Sequence, residues 1–446
     1  MPRLGARRDA VAQTVVADDY PLTEVPRSAR RGLLSLTTVL LGFVFFTPTM
    51  LAGAQVATAF RPGTLLTVLL TGSVILGTYV AVLAVIGART GLTTVLLARY
   101  TLGSGGSKWA DLLLGGTQVC WYAVTAAFLS ELIVQAFGWH GFEWLVIIAG
   151  SALTGLTAYI GYRGIEILSA VSVPLMFVLC CWVVIKATDE VGGISGFGDI
   201  DPVTTLPWAT AVTIVVGTFV SGGTQTPNWS RFARLPRQAF IAAFGSFFVA
   251  NLLMLVFGAV GALAFAEGDF VSVLLRLNLT VAAVILLTLN VWTTQDNAAY
   301  AFGLAGAELT GVRGKRPFVV GGIAIAVVLA LSGIYEALPQ YLILLGVLIP
   351  PLGGTIIGDY VFVWRGALPP VDRTRFVRFR WTCVAAYATG TSVAFVSDQL
   401  AVGLPPVQGI LAAVLAVPLF ESLARRAGWH HNHTVLAPGE PATAPA

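Results

Sequence analysis

The chain has 446 residues, 56% of them hydrophobic and only 11% charged, with a mean hydropathy of +0.83 and a net charge of +4 at pH 7. So much apolar material exceeds what the core and solvated surface of a water-soluble domain require, and it excludes one. The basic residues sit in short stretches between apolar runs, a placement that reports membrane topology and argues against nucleic-acid binding.

Apolar runs of about 20 residues, each long enough to cross a ~30 Å hydrocarbon layer, follow one another along the chain. They are Leu33 to Ala59, Thr64 to Ala88, Trp109 to Phe137, Phe142 to Gly161, Ile165 to Ala187, Leu206 to Thr226, Gln238 to Ala266, Thr280 to Gly306, Phe318 to Tyr335, Leu338 to Trp364, Trp381 to Val396 and Pro405 to Leu423. An all-α integral membrane protein with twelve transmembrane helices is predicted. The first run follows a mixed polar segment and lacks a small-residue cleavage site, so it reads as a span and not as a signal peptide. With both termini cytoplasmic, only Arg61, Lys186 and Arg276 of the 26 Lys and Arg fall in outer loops. That asymmetry is the positive-inside pattern of a multi-pass protein of the cell (inner) membrane.

The resulting divisions are a cytoplasmic N-terminal segment (1–31), helices one to five (32–187), an outer loop (188–205), helices six to ten (206–364), a basic loop with helices eleven and twelve (365–424), and a disordered cytoplasmic tail (425–446). Cys120, Cys180, Cys181 and Cys383 lie inside predicted helices without ligand spacing and read as small packing residues. His430, His431 and His433 belong to the polar tail, where metal capture is the alternative to simple solvation.

Two runs are interrupted. The first contains FFTPTMLAG, around Pro48, and the sixth contains SGGTQTP, from Ser221 to Pro227. Matching interruptions five helices apart, in units that enter the membrane from opposite sides, are the trace of a five-plus-five inverted repeat with a binding site at the unwound segments. Backbone leaves helical form at membrane depth only where protein or a wet cavity satisfies it; a pair of ordinary proline kinks is the alternative.

Depth selects candidate residues. A helix rises ~1.5 Å per residue, so Gln118 and Trp121 of the third run lie about 14 and 18 Å deep and share a face. Phe219 and Ser221 adjoin the interruption of the sixth run, Asn290, Thr293 and Thr294 lie near the middle of the eighth, and Gly42 and Phe45 precede the interruption of the first. Any one of these could simply pin helices together. Two aromatics that clamp a flat ring, with a primary amide offering donor and acceptor side by side, suit a planar heterocycle, and no arginine is placed for a carboxylate or phosphate. The paired threonine hydroxyls, with carbonyls of Asn290, Gly42 and Phe45, make a hard oxygen set suited to sodium. A proton would instead need a titratable group, for which Asp296 is the candidate. No His/Cys/Asp grouping supports a membrane-embedded enzyme, and one inverted repeat argues against a channel.

The segments TPNWSRFARLPRQAF, LTLNVWTTQDNAAYAFGLAG, LIPPLGGTIIGDYVFVWRG and TVLLARYTLGSGG resemble those of the nucleobase:cation symporter family, in its cytosine/purine permease branch. The resemblance runs from about Gly32 to Leu423. It implies a leucine-transporter-like fold with two C-terminal helices added, alternating access, and import of cytosine or a related nucleobase by symport with sodium. It also implies base stacking between Trp121 and Phe219, hydrogen bonds from Gln118, Ser221 and Asn290, and sodium held near Gly42, Phe45, Asn290, Thr293 and Thr294, with Phe46 as the alternative carbonyl. Where family members often read TTNDNNLY, this chain reads TTQDNAAY, so Gln295 and Ala298 depart from the pattern and leave the exact substrate open. Purine, uracil, hydantoin, allantoin and hydroxymethylpyrimidine are the rival substrates, and proton coupling the rival to sodium. The partners expected are the base and the lipid bilayer, with no nucleic acid, no organic cofactor, and a monomer as the working unit.

Overall fold

The computed structural model describes residues 20, 22–160, 162–265, 272–273, 277, 280–312, 314–334, 338–429 and 433–435. Most of the predicted N-terminal segment, the end of the seventh run, Arg276, Tyr335, and His430 and His431 with most of the tail lie outside the described residues. What is described is overwhelmingly helical, with polar side chains set into a largely apolar interior and apolar ones covering the outside. Gln118, Ser221, Asn290, Thr293, Asp296 and Asn297 are buried, whereas Val178, Val320, Val328 and Leu415 are among many large apolar side chains left facing outward. Polar groups kept away from an apolar outer surface are what hydrocarbon demands of a helix bundle.

Among the described residues six helices are long and apolar enough to cross a bilayer: Pro62–Thr90, Thr94–Phe137, Ala170–Glu190, Pro236–Phe265, Gln340–Val363 and Pro405–Arg426. Leu33–Val44 and Thr47–Ala57, bent by 55° at their junction, together make a seventh. The third predicted span starts earlier than its hydropathy suggests. Its helix runs Thr94–Phe137 but is interrupted at Gly103, whose φ of 88° is open to glycine without strain. There the freed backbone is taken up by the loop before the eleventh span: Ser104 N–H donates to the Val377 carbonyl (2.9 Å) and Gly105 N–H to that of Arg378 (2.7 Å).

The first predicted span breaks where expected. Phe45 (φ −71°, ψ 80°) and Phe46 (φ −129°, ψ 115°) are non-helical, and the second helix restarts at Thr47 with Pro48, which needs no N–H partner, in its first turn. The sixth breaks differently from its sequence reading. It is cut into Trp208–Gly217, Val220–Thr224 and Pro227–Ser230, with Phe219 (φ −133°, ψ 6°) and Gln225 (φ −87°, ψ 4°) at the joints. Gly222 and Gly223 therefore lie inside a short helix, not in the break. Their role is close approach: a Cβ on Gly222 would come within 2.5 Å of the Phe43 ring, and one on Gly223 within 2.5 Å of Val80.

Backbone-to-backbone packing sets the position of the bent half of the first span. A Cβ on Gly53 would run into the Leu255 carbonyl, and one on Gly258 into the carbonyl of Met50. Small residues permit this contact because apolar burial gives helices no drive to associate within lipid. Gly258→Ala should separate Thr47–Ala57 from Asn251–Phe265 and cost about 1–3 kcal/mol, read as a lower melting temperature of the purified protein.

At the far end, Arg380 is almost fully buried and joins the last three helices. Its guanidinium reaches Asp359 and Glu421 at 2.8 Å each. The described part of the predicted tail is docked: Thr434–Val435 pairs antiparallel with Thr374–Arg375, and the His433 ring lies parallel to Trp364 at 6.0 Å between ring centres. Burial pushes the His433 pKa down to about 4, so the ring is neutral, with Val377 N–H donating to Nδ1 (3.2 Å).

Candidate substrate and cation site

The breaks of the first and sixth spans meet at one small cavity whose free volume is about 10 Å³, room for a single water molecule. Phe43 and Phe46 from the first span, Gln118, Trp121 and Thr125 from the third, Thr218, Phe219, Ser221 and Gly222 from the sixth, and Thr294 and Ala298 from the eighth line it. All of these residues are buried, so the cavity is closed to both faces of the membrane.

Four of the five residues expected to hold a planar substrate come together here. Gln118 and Trp121 lie on one helical face, as their three-residue spacing requires, and Gln118 Nε2 points to Ser221 Oγ at 3.4 Å. Trp121 and Phe219 do not touch each other; Phe46 stands between them, edge-on to both, with ring centres 5.4 and 5.6 Å away. Tyr341 closes the far side of Trp121 (5.5 Å). Phe247, on a π turn at Ser246–Ala250 in the seventh span, closes that of Phe219 (6.0 Å). The Thr125 and Thr218 hydroxyls are spent on carbonyls of their own helices, at 2.9 and 2.7 Å. That leaves the Gln118 amide and the Ser221 hydroxyl as the principal polar groups presented to a guest, with apolar Ala298 on another wall.

Asn290 is the exception. It does not line the cavity; its side chain reaches across to the break of the first span. Its Oδ1 accepts from the Thr47 backbone N–H (2.9 Å) and the Thr47 hydroxyl (2.7 Å), and its Nδ2 donates to the Phe45 carbonyl. One amide thus satisfies both a donor and an acceptor freed by the unwinding, which is how polypeptide comes to rest in non-helical form at this depth. The sixth span solves the same problem from its own joints and a neighbour. The Gln225 side chain donates to the Ser221 carbonyl (3.3 Å), while Thr94 gives its hydroxyl to the Thr224 carbonyl (3.1 Å) and its N–H to Asn228 Oδ1 (3.0 Å).

Beside the cavity a cluster of oxygens forms around the Asn290 carbonyl. Thr293 Oγ lies 2.7 Å from it, and Thr294 Oγ is 3.5 Å from both this carbonyl and that of Phe43. The first-span carbonyl within reach of Thr294 is that of Phe43, next to the expected Gly42, while the Phe45 carbonyl is already engaged by Asn290. The set contains only hydroxyl and carbonyl oxygens, chemistry that fits a small hard cation and has no group to titrate near neutral pH. Asp296 is fully buried, partnered, and outside the cavity lining.

Phe43, Phe46, Thr47 and Tyr341 were missing from the substrate set read from the sequence. The first three sit in or beside FFTP, and their proximity to the proline was the available signal; nothing in the sequence placed Tyr341 against Trp121.

A family model described as "Permease for cytosine/purines, uracil, thiamine, allantoin" matches residues 24–416. The cytosine permease of Escherichia coli (strain K12) is 36% identical over 402 residues, covering 90% of this chain and 94% of that protein. Among solved structures, Mhp1, a nucleobase-cation-symport-1 family transporter in a closed conformation with bromovinylhydantoin bound, shares the fold. It superposes with a TM-score of 0.78 at 17% identity, over 91% of this chain and 95% of that one. A Na+-coupled sialic acid symporter, in a substrate-bound outward-open state, matches over 94% of both chains with a TM-score of 0.61 at 12% identity. The relatives are permeases and not enzymes, and the length of the match leaves only the ends of the chain outside it. The chain therefore belongs to the family of permeases for cytosine/purines, uracil, thiamine and allantoin.

Proposed function

We propose that this permease imports cytosine or a closely related nucleobase by symport with sodium, through alternating access, as a monomer of twelve spans in the inner membrane with both termini cytoplasmic. The observation that carries the reading is the closed cavity at the meeting of two helix breaks, with Gln118, Trp121, Phe219 and Ser221 on its wall and an oxygen cluster next to it. A base fits there only once the Phe46 ring moves aside, and the similarity to a cytosine permease points to a single-ring one.

The base stacks between Trp121 and Phe219 by displacing the Phe46 ring, and its polar edge is read by Gln118 and Ser221. Because Phe46 is itself part of the break, substrate entry and the bend of the first span become one event. Sodium held by Thr293, Thr294, the Asn290 carbonyl and the Phe43 carbonyl ties the first span to the eighth and favours the outward-open form; each ligand shifts the equilibrium only by its differential affinity for the two forms.

Uptake of radiolabelled cytosine into vesicles, competed by unlabelled cytosine, uracil, purines, hydantoin and allantoin with and without sodium, tests the reading. Saturable, sodium-dependent accumulation blocked best by cytosine is expected. Undiminished uptake in sodium-free buffer would reject the cation, and stronger competition by another base would reassign the substrate.

A further inference from the structure

The face that carries the N-terminal segment holds an open groove of about 460 Å³, lined by Arg27, Arg30, Ala88, Arg89, Arg234, Leu235 and Pro236. Four guanidiniums come to it from three separate stretches of chain: the lead-in to the first span, the last turn of the helix Pro62–Thr90, and the joint before the helix Pro236–Gly245. Among the described residues none of the four forms an ion pair with a carboxylate. Like charges gathered without counter-charge repel one another, and here they are held together by backbone. Arg30 is fixed by its Nη1 on the Ala88 carbonyl (2.8 Å), its own carbonyl accepts from Arg234 Nε (3.3 Å), and Arg234 N–H donates to the Arg31 carbonyl (3.0 Å). Arg30 Nε is buried with no partner. Burial, then the Arg27 charge, pushes the Arg30 pKa below its usual value, and exposed Glu24 offsets this only in part.

We infer that this groove binds the phosphate headgroup of an anionic phospholipid, which supplies the paired counter-charge that no described carboxylate gives these arginines. Basic pockets of this kind on membrane proteins recognise acidic headgroups, and the positive end of the helix that begins at Pro236 adds to the attraction. The apolar surroundings select a lipid over a soluble phosphate. Leu235 in the groove wall is 56% exposed, Leu34 at the start of the first span is 81% exposed, and Phe240 and Ile241 face outward along the helix Pro236–Gly245. Such side chains belong against acyl tails, which places the arginines at the level of the headgroups. A headgroup there ties the lead-in of the first span to the second and seventh spans and steadies the end of the span whose break forms the cavity.

Arg27 and Arg89 make no side-chain hydrogen bond among the described residues, so replacing them disturbs binding before folding. The full-length protein, in vesicles of phosphatidylcholine with or without phosphatidylglycerol, is tested for lipid retained in native mass spectrometry and for melting temperature. Neither readout depends on transport. Phosphatidylglycerol should stay bound and raise the melting temperature. The double variant Arg27→Gln, Arg89→Gln should weaken retention roughly 30-fold, at about fivefold per arginine. An equally charged control, Arg365→Gln with Arg373→Gln, should behave as the wild type. Equal losses in both variants, or no retained phosphatidylglycerol in the wild type, overturns the site. Inorganic phosphate reproducing the temperature rise in neutral vesicles overturns the lipid as its source.

Discussion

Asn290→Ala should abolish uptake, lowering it by more than about 100-fold, and should also lower the melting temperature of the purified protein. The amide answers the Thr47 N–H and the Phe45 carbonyl at a depth where no water replaces it. Two orphaned backbone groups at about 1–3 kcal/mol each outweigh the small free-energy gaps that separate transporter conformations, so the break closes up or shifts. Gln118→Ala is the contrast. Its side chain faces the cavity and makes one long contact, to Ser221. It should raise the KM for cytosine about tenfold and leave the melting temperature within a degree or so of wild type, because no backbone depends on it. Measured together, uptake and thermal unfolding separate a residue that holds the site open from one that reads the guest. If Asn290→Ala melts like the wild type and only KM moves, Asn290 contacts the substrate and the pinning role is wrong.

That contrast marks how far the sequence reached. Apolar runs and the two interruptions pointed to a helical membrane protein and to the spans that meet at the site, because both follow from what hydrocarbon tolerates. Depth along a helix is legible from residue number. Direction around it, once the helix is broken or packed by several neighbours, is not: Asn290 and Gln118 lie at similar depth with the same chemistry, yet one turns to backbone and the other to the cavity. The SGGTQTP run misled for a related reason. Glycine relaxes backbone and also removes a side chain, and only packing decides which matters; at Gly222 it is the Phe43 ring that requires the missing Cβ. Phe46 stands out in the sequence for a carbonyl beside the break, whereas in the fold its ring contacts both Trp121 and Phe219.

On the proposed coupling, replacing both Thr293 and Thr294 by valine should raise the sodium concentration needed for half-maximal cytosine uptake by more than about tenfold, while saturating sodium restores part of the rate. The two hydroxyls flank the Asn290 carbonyl, and Thr294 alone bridges toward the first span through the Phe43 carbonyl. Losing one ligand of a small all-oxygen set costs about as much as a lost charge-assisted hydrogen bond, roughly 1.5–3 kcal/mol, which is tenfold or more in affinity. Valine keeps the volume and shape of threonine, so packing against the first span is retained and the loss is chemical. Thr294→Ser, which keeps the hydroxyl, should stay close to wild type in sodium dependence, and Thr294→Val should be worse than Thr293→Val because only Thr294 connects two spans. The asymmetry is the informative part. A proton-coupled transporter would show no change in its sodium profile in either variant and would respond instead to the pH outside the vesicle, whereas equal effects at the two positions would mean that the oxygens serve the eighth span alone and do not join it to the break.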